Sequence, residues 1–343
     1  MPRDAADRES RARFRTDRPR VCDPVRFDGS GIAMSEHQTV PPHAPDLLIR
    51  GVTVIDPAPT GLRLLSNQEI AVTGERIVAI RPVTDVGMPV GSRILDGTGM
   101  AALPGFVNCH AHAAMVLFRG AAEDVPITSW FNDYIWPMES NLRPDDIHVG
   151  ALLAAAEMIQ SGVTTVADHY FAMDRIAQAF TEAGLRAHLA WTMFGSNPGQ
   201  ELDMALRFAA DWHRRDSGRV TVWLGPHAPY TCPVDFLREV ARVAQETGLG
   251  IHIHVAETRE QVQTSVSEHG CSPVELLARH NVLDVQALLA HVAHPLPSDF
   301  SVLTGRQVGI AHCPKTFLKL AAGIAPLIEF QAHGIASCKI GRA

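Results

Sequence analysis

From residue 101 onward, short apolar runs alternate with longer stretches in which apolar residues recur every three or four positions. A short apolar run bounded by turn residues predicts a buried strand, and the longer recurrence predicts a helix with one buried face. Strands are expected at 102–108, 163–167, 186–192, 219–225, 249–255, 286–291 and 307–312. Helices are expected at 145–161, 173–183, 201–215, 233–247 and 273–280. The first is opened by Pro144 near N1 and closed by Gly162, which is where each residue belongs. Strands alternating with helices predict a parallel α/β sheet. Seven such strands suggest a (β/α)8 TIM-like barrel, whose sites form at the C-terminal strand ends.

Two stretches precede the barrel. Residues 46–100 hold short β-type runs separated by Gly, Asp and Pro clusters: 47–55, 69–72, 76–80 and 93–95. They look like part of a small N-terminal β-sandwich. Residues 1–45 differ again, with eight Arg in the first 26 residues, interspersed acids and no apolar h-region. The missing h-region argues against a secretory signal and the acids against a transit peptide, and a disordered Arg-rich arm is expected. A start of translation at Met34 would account for it. The barrel is assigned to 101–343.

The chain has 343 residues, enough for a barrel and an accessory module. Its formal net charge of −7 gives no reason to expect nucleic acid or an anionic membrane as partner. No apolar run approaches the roughly 20 residues of a membrane span. The six Cys are scattered, without Cys-x-x-Cys. That argues against a disulfide framework and favours a reducing compartment, the cytoplasm.

Candidate chemistry gathers in the histidines. His110 and His112 close the apolar run Leu103-Pro-Gly-Phe-Val-Asn-Cys-His-Ala-His112. Residues i and i+2 of a strand share a face, so the two imidazoles can share one metal ion. In a barrel the same mouth would receive His227 after strand four, His254 at the end of strand five, His291 at the end of strand six and His312 at the end of strand seven. Glu257 lies in the loop just past His254, within reach of a polarised water, and is a candidate general acid/base. Alone it would read as a first-turn helix acid.

With these residues in place the chain resembles the amidohydrolase superfamily. Within it, the likeness is to 5-methylthioadenosine/S-adenosylhomocysteine deaminases and the triazine chlorohydrolase-like branch. The resemblance covers residues 46 to about 334. It is carried by Pro104-Gly-Phe-Val-Asn-Cys-His-Ala-His112, Arg119-Gly-Ala-Ala-Glu-Asp124, Gly162-Val-Thr-Thr-Val-Ala-Asp168, Gly225-Pro-His-Ala-Pro-Tyr230, His254-Val-Ala-Glu-Thr258 and Leu320-Ala-Ala-Gly-Ile-Ala-Pro326.

The resemblance implies that His110, His112 and His254 bind one divalent metal, usually zinc and sometimes iron. It implies that Glu257 shuttles a proton, that His291 orients the nucleophile or the substrate, and that Glu123 and His227 contact substrate. The expected reaction is hydrolysis of a C–N bond in a cyclic amidine, such as an adenosine-type heterocycle, by activated hydroxide. The alternative is a triazine-type chlorohydrolase or aminohydrolase. The expected partner is therefore a small heterocyclic substrate, and relatives often form homo-oligomers. A carboxylated Lys bridging two metals is excluded, because the three Lys stand at 315, 319 and 339. The Pro-Cys-x-x-Cys of cytidine-type deaminases is absent as well.

Two departures qualify the likeness. Trp191 stands near where the S-adenosylhomocysteine deaminases place an Arg for a substrate carboxylate, and it is a candidate pocket residue. In addition, the family carries Gly-Thr-Asp on strand eight, whereas this chain reads Ile335-Ala-Ser-Cys-Lys-Ile-Gly-Arg-Ala343, with no Asp after Asp299. This suggests a truncation, with a frameshift just after Gly334. The eighth strand is then expected to be missing, its neighbours exposed as edges, and the chain catalytically impaired.

Overall fold

The computed structural model describes residues 44–338, except 59–60 and 85–90. The expected Arg-rich arm and the Met34 start lie outside the described residues. The chain divides into two compact units, the first ending at Pro104 and the second beginning at Gly105.

The first unit is a five-stranded sheet of β1 (Leu47–Ala58), β2 (Gly61–Thr73), β3 (Arg76–Pro82), β4 (Arg93–Asp96) and β5 (Ala101–Ala102). The order is β3-β2-β1-β4, with β5 also pairing β1. Among the described residues it is one sheet, where part of a sandwich was expected. Val52, Val54 and Ile70 are buried, with Ile49, Leu65, Val72 and Ile80 packed against them. Glu69 is buried beside Arg50 and Arg81, each 2.8 Å away.

The second unit is an eight-stranded parallel sheet: β6 (Phe106–Ala111), β7 (Val163–Tyr170), β8 (Arg186–Met193), β9 (Val220–Pro226), β10 (Ile251–Val255), β11 (Ala287–His291), β12 (Val308–Ala311) and β13 (Ala336–Cys338). The helices between them are α1 (Pro144–Gln160), α2 (Met173–Ala183), α3 (Pro198–Trp212), α4 (Val234–Thr247), α5 (Arg259–His269), α6 (Pro273–Arg279), α7 (Pro297–Leu303), α8 (Pro314–Leu320) and α9 (Leu327–Ala332). This is the TIM-like barrel, nearly closed.

The missing eighth strand is corrected by the structure. Residues Ala336, Ser337 and Cys338 pair in parallel with Gly309, Ile310 and Ala311. Three residues are too few to carry a sequence signal of their own, and pairing to β12 supplies what local propensity does not. The side chains of Cys109 on β6 and Cys338 on β13 lie close enough to influence each other, which brings the two end strands near one another.

Periodicity explains the helices. On α4, Phe236, Leu237, Val240, Ala241, Val243 and Ala244 form the buried face. On α2, Met173, Ile176, Ala177 and Phe180 do the same. Each large side chain fully buried in this way contributes about 1.5–3 kcal/mol. At Gly225 a Cβ would stand 2.5 Å from the Trp191 carbonyl oxygen. Only glycine lets β9 approach β8 so closely, just ahead of His227.

Candidate metal centre and active site

β6 delivers His110 to the barrel interior, and His112 follows one residue past its end. The turn after His112 is held by Asp168 on β7, whose Oδ1 accepts from Ala113 N at 2.9 Å and from His169 N at 3.2 Å. Asp168 is fully buried, and burial pushes its carboxyl up to about 7 against those two donors. β10 delivers His252 and His254 on one face, both buried.

The ring nitrogens fix their own tautomers. His112 Nδ1 donates to the His169 carbonyl at 2.5 Å, and His254 Nδ1 donates to the His227 carbonyl at 2.8 Å. A carbonyl only accepts, so both protons sit on Nδ1 and both Nε2 atoms are bare lone pairs. These two Nε2 atoms face each other at 3.2 Å. Two lone pairs so placed repel unless a cation lies between them. His110 Nε2 is buried without a hydrogen-bond partner, while its Nδ1 lies 3.0 Å from His252 Nε2. Ligand atoms of His110, His112 and His254 all lie within 4.8 Å of one another. Burial holds His112 at about 4 and His110 and His254 well below the ordinary imidazole value. Neutral imidazole is the form that binds metal, so the residues fit a divalent ion.

Glu257 follows β10 in a loop entered through Ala256 at φ +49°. Burial raises its carboxyl to about 7. Its Oε1 lies 3.5 Å from His291 Nε2 at the end of β11. His291 itself has φ +77° and Val292 φ +42°, two strained residues in succession at the barrel mouth. Burial lowers the His291 imidazole to about 3, so it meets the carboxylate as a neutral ring.

The remaining candidates fall differently. The ring of His227 stands 4.8 Å from that of His254, its Nδ1 is 2.8 Å from Thr231 Oγ1, and its carbonyl orients His254. The Glu123 carboxylate is taken by Lys319 at 2.6 Å on the protein surface. Trp191 is not brought to the mouth. Its neighbour Thr192 turns inward to His169 Nδ1 at 2.9 Å, and Trp191 points the other way, its ring 5.5 Å from that of Phe208 on α3. Strand alternation places a residue adjacent to an inward one outside the barrel.

His252 escaped assignment from sequence, and His169, at the end of the second strand, was legible there only as a candidate to line the pocket. His252 buttresses His110, and His169 brings its ring to 4.9 Å from that of His254. The i, i+2 relation between His252 and His254 was the available signal for the first. His169 follows Asp168 at the end of β7, and its position there was the signal for the second.

Comparison with known proteins identifies the relatives of this chain. The 5-methylthioadenosine/S-adenosylhomocysteine deaminase of Pelotomaculum thermopropionicum is 44% identical over 297 residues, covering 85% of this chain and 68% of the relative. That of Desulforudis audaxviator is 44% identical over 292 residues, covering 84% and 67%. The chain thus spans about two thirds of the length of these relatives. Among solved structures, an adenosine deaminase from Xanthomonas campestris with bound zinc superposes with TM-score 0.82 at 29% identity, covering 88% of this chain and 70% of that one. An atrazine chlorohydrolase from Arthrobacter aurescens TC1 complexed with zinc gives TM-score 0.78 at 26% identity, covering 86% and 71%. Residues 101–338 match the amidohydrolase family. With a barrel of eight parallel strands and a histidine cluster at their C-terminal ends, the chain belongs to the amidohydrolase family.

Proposed function

We propose that the protein is a metal-dependent deaminase that hydrolyses the C–N bond of an exocyclic amine on a cyclic amidine, with an adenosine-type heterocycle as substrate. The observation that carries this reading is the 3.2 Å approach of two Nε2 atoms whose Nδ1 protons are both committed to carbonyls. His110, His112 and His254 would hold the ion, with zinc favoured by the zinc-bound relatives and iron the other candidate. The chemistry these ligands would gain from a bound divalent ion is a water activated as a nucleophile near neutrality, its pKa brought from about 15.7 to roughly 7.

The chain's own residues do the rest. Glu257, poised near 7, takes a proton from the attacking water and returns it to the departing amine nitrogen, a task suited to a group that titrates near the working pH. His291, 3.5 Å away, fixes the carboxylate's orientation. His227 and His169 line the same mouth and would contact the heterocycle. Among the described residues, no helix is long and apolar enough to cross a membrane. The free cysteines at 109, 232, 271, 313 and 338 fit a reducing, cytoplasmic setting.

Zinc-loaded protein should be offered adenosine, 5′-methylthioadenosine, guanine, a pterin and a chlorotriazine, with ammonia and chloride both followed. Ammonia from a purine substrate is expected. Chloride alone would move the assignment to the triazine-type alternative, and neither product from protein with a full zinc complement would end it.

A further inference from the structure

A second group of ligand atoms overlaps the imidazole triad. One ring nitrogen each of His110 and His291 and the Cys313 sulfur lie within 4.8 Å of one another, and all three residues are buried. The two rings carry buried nitrogens with no hydrogen-bond partner, Nε2 of His110 and Nδ1 of His291. The carboxylate beside His291 Nε2 favours a proton there and leaves Nδ1 a bare lone pair. The Cys313 sulfur contacts only main-chain atoms, donating to the Ala311 carbonyl at 3.4 Å and lying against the backbone of His291. β13 contributes Ala336, Ser337 and Cys338, so among the described residues that strand brings no carboxylate to the mouth.

We propose that Cys313 is a metal ligand, its thiolate joining His110 and His291 to hold a thiophilic divalent cation in a position alternative to the three-imidazole one. This rests on the reading that His110 Nε2 faces an ion. His110 has one lone pair to give, because its Nδ1 is engaged with His252. The two positions therefore exclude each other, and the protein takes one ion rather than two. The charge argument favours sulfur. Three neutral imidazoles bring no charge to the ion directly, whereas a thiolate ligand supplies one negative charge in addition to the nearby Glu257 carboxylate, and zinc and cobalt accept mixed nitrogen and sulfur ligands. Burial pushes the free thiol up to about 12, so binding must displace its proton: Cys–SH and the dication become the metal thiolate, and one proton goes to solvent.

Cobalt(II) is the probe. Metal-free protein titrated with cobalt should develop a near-ultraviolet thiolate-to-cobalt charge-transfer band that saturates at one equivalent. Cys313→Ser should lose the band and keep cobalt on its imidazoles. Cys109→Ser and Cys338→Ser should keep both. His112→Ala breaks only the imidazole triad, so it should retain cobalt with the band. Tight cobalt binding with no band in either the parent or His112→Ala would overturn the Cys313 assignment and leave the histidine centre standing. A band that survives Cys313→Ser would overturn it too. Failure to bind cobalt at all would sink both.

Discussion

His110 Nδ1 and His252 Nε2 lie 3.0 Å apart, and both residues are fully buried. Because His110 must present Nε2 to an ion, its proton resides on Nδ1 and His252 accepts it. His252 thus sets the tautomer and the rotation of His110 without reaching the ion. Partners of this kind are worth about 10–100-fold in metal affinity. His252→Phe should weaken zinc binding by that factor, and His252→Gln, which keeps an acceptor, should recover part of it. Competition against a chromophoric chelator measures both. Unchanged affinity in the Phe variant would reduce His252 to packing.

Glu257→Gln keeps the shape of the side chain and removes its basicity. Turnover should fall by about 10²–10⁴, while zinc content stays at the parent level because Glu257 is outside the ligand set. In the parent, kcat should decline as pH falls through about 7, where burial has placed this carboxyl, since the proton acceptor is then already filled. A variant with near-parental turnover would require another base.

The barrel was legible because its signals are local. Seven strands and five helices follow from apolar runs and helical recurrence, although the first expected strand, 102–108, is shifted, its ordered strand running from Phe106 to Ala111 with Phe106 and Val107 exposed. His110, His112 and His254 were legible because strand ends are where a barrel gathers chemistry. What could not be read depended on partners distant in sequence. β13 exists by pairing with β12. His252 matters through an imidazole 142 positions away. The orientation of Trp191 follows from strand phase, which a one-residue shift inverts.

Trp191 should therefore behave as a packing residue. Trp191→Ala should cost about 2–4 kcal/mol of stability, near the lower part of the range for large aromatic truncations because the ring is only half-buried. KM for the best nucleoside should stay within about twofold, a change of less than 0.5 kcal/mol. Denaturant unfolding and steady-state kinetics on one preparation separate the two effects. A large rise in KM at unchanged stability would return Trp191 to the pocket.

Removal of the ion tests the centre as a whole. Chelation should abolish ammonia release and lower the Tm, because a ligand bound only by the folded state stabilises it by about 2.7 kcal/mol at a hundredfold excess over Kd. Added zinc should restore both. A Tm indifferent to chelator and zinc would mean that the imidazoles hold nothing.

The histidine cluster also dictates how the metal-free protein responds to acid. Burial lowers His112 and His188 to about 4 and His227 and His291 to about 3. In the unfolded chain each titrates near 6.5. Between those values the unfolded chain binds protons that the fold refuses, so stability present above about 6.5 is lost as pH falls. Asp168 and Glu257, both raised to about 7, act oppositely over the same window, binding protons in the fold that free carboxylates have released. Four acids, Glu139 and Asp299 being raised as well, stand against eight rings, with His110, His169, His252 and His254 also lowered. The metal-free Tm should therefore drop between pH about 7 and about 5. His188 lies one ring removed from the ligand set, its ring 6.3 Å from that of His252. It rests on Thr221 Oγ1 at 3.0 Å and edge-on to Trp223 at 4.3 Å, both away from the ligand set. Its shift alone corresponds to about 3 kcal/mol at the acid end. His188→Gln should flatten the acid limb of the Tm profile while the protein still binds zinc. An acid limb that keeps its slope in that variant would place the sensitivity elsewhere in the cluster.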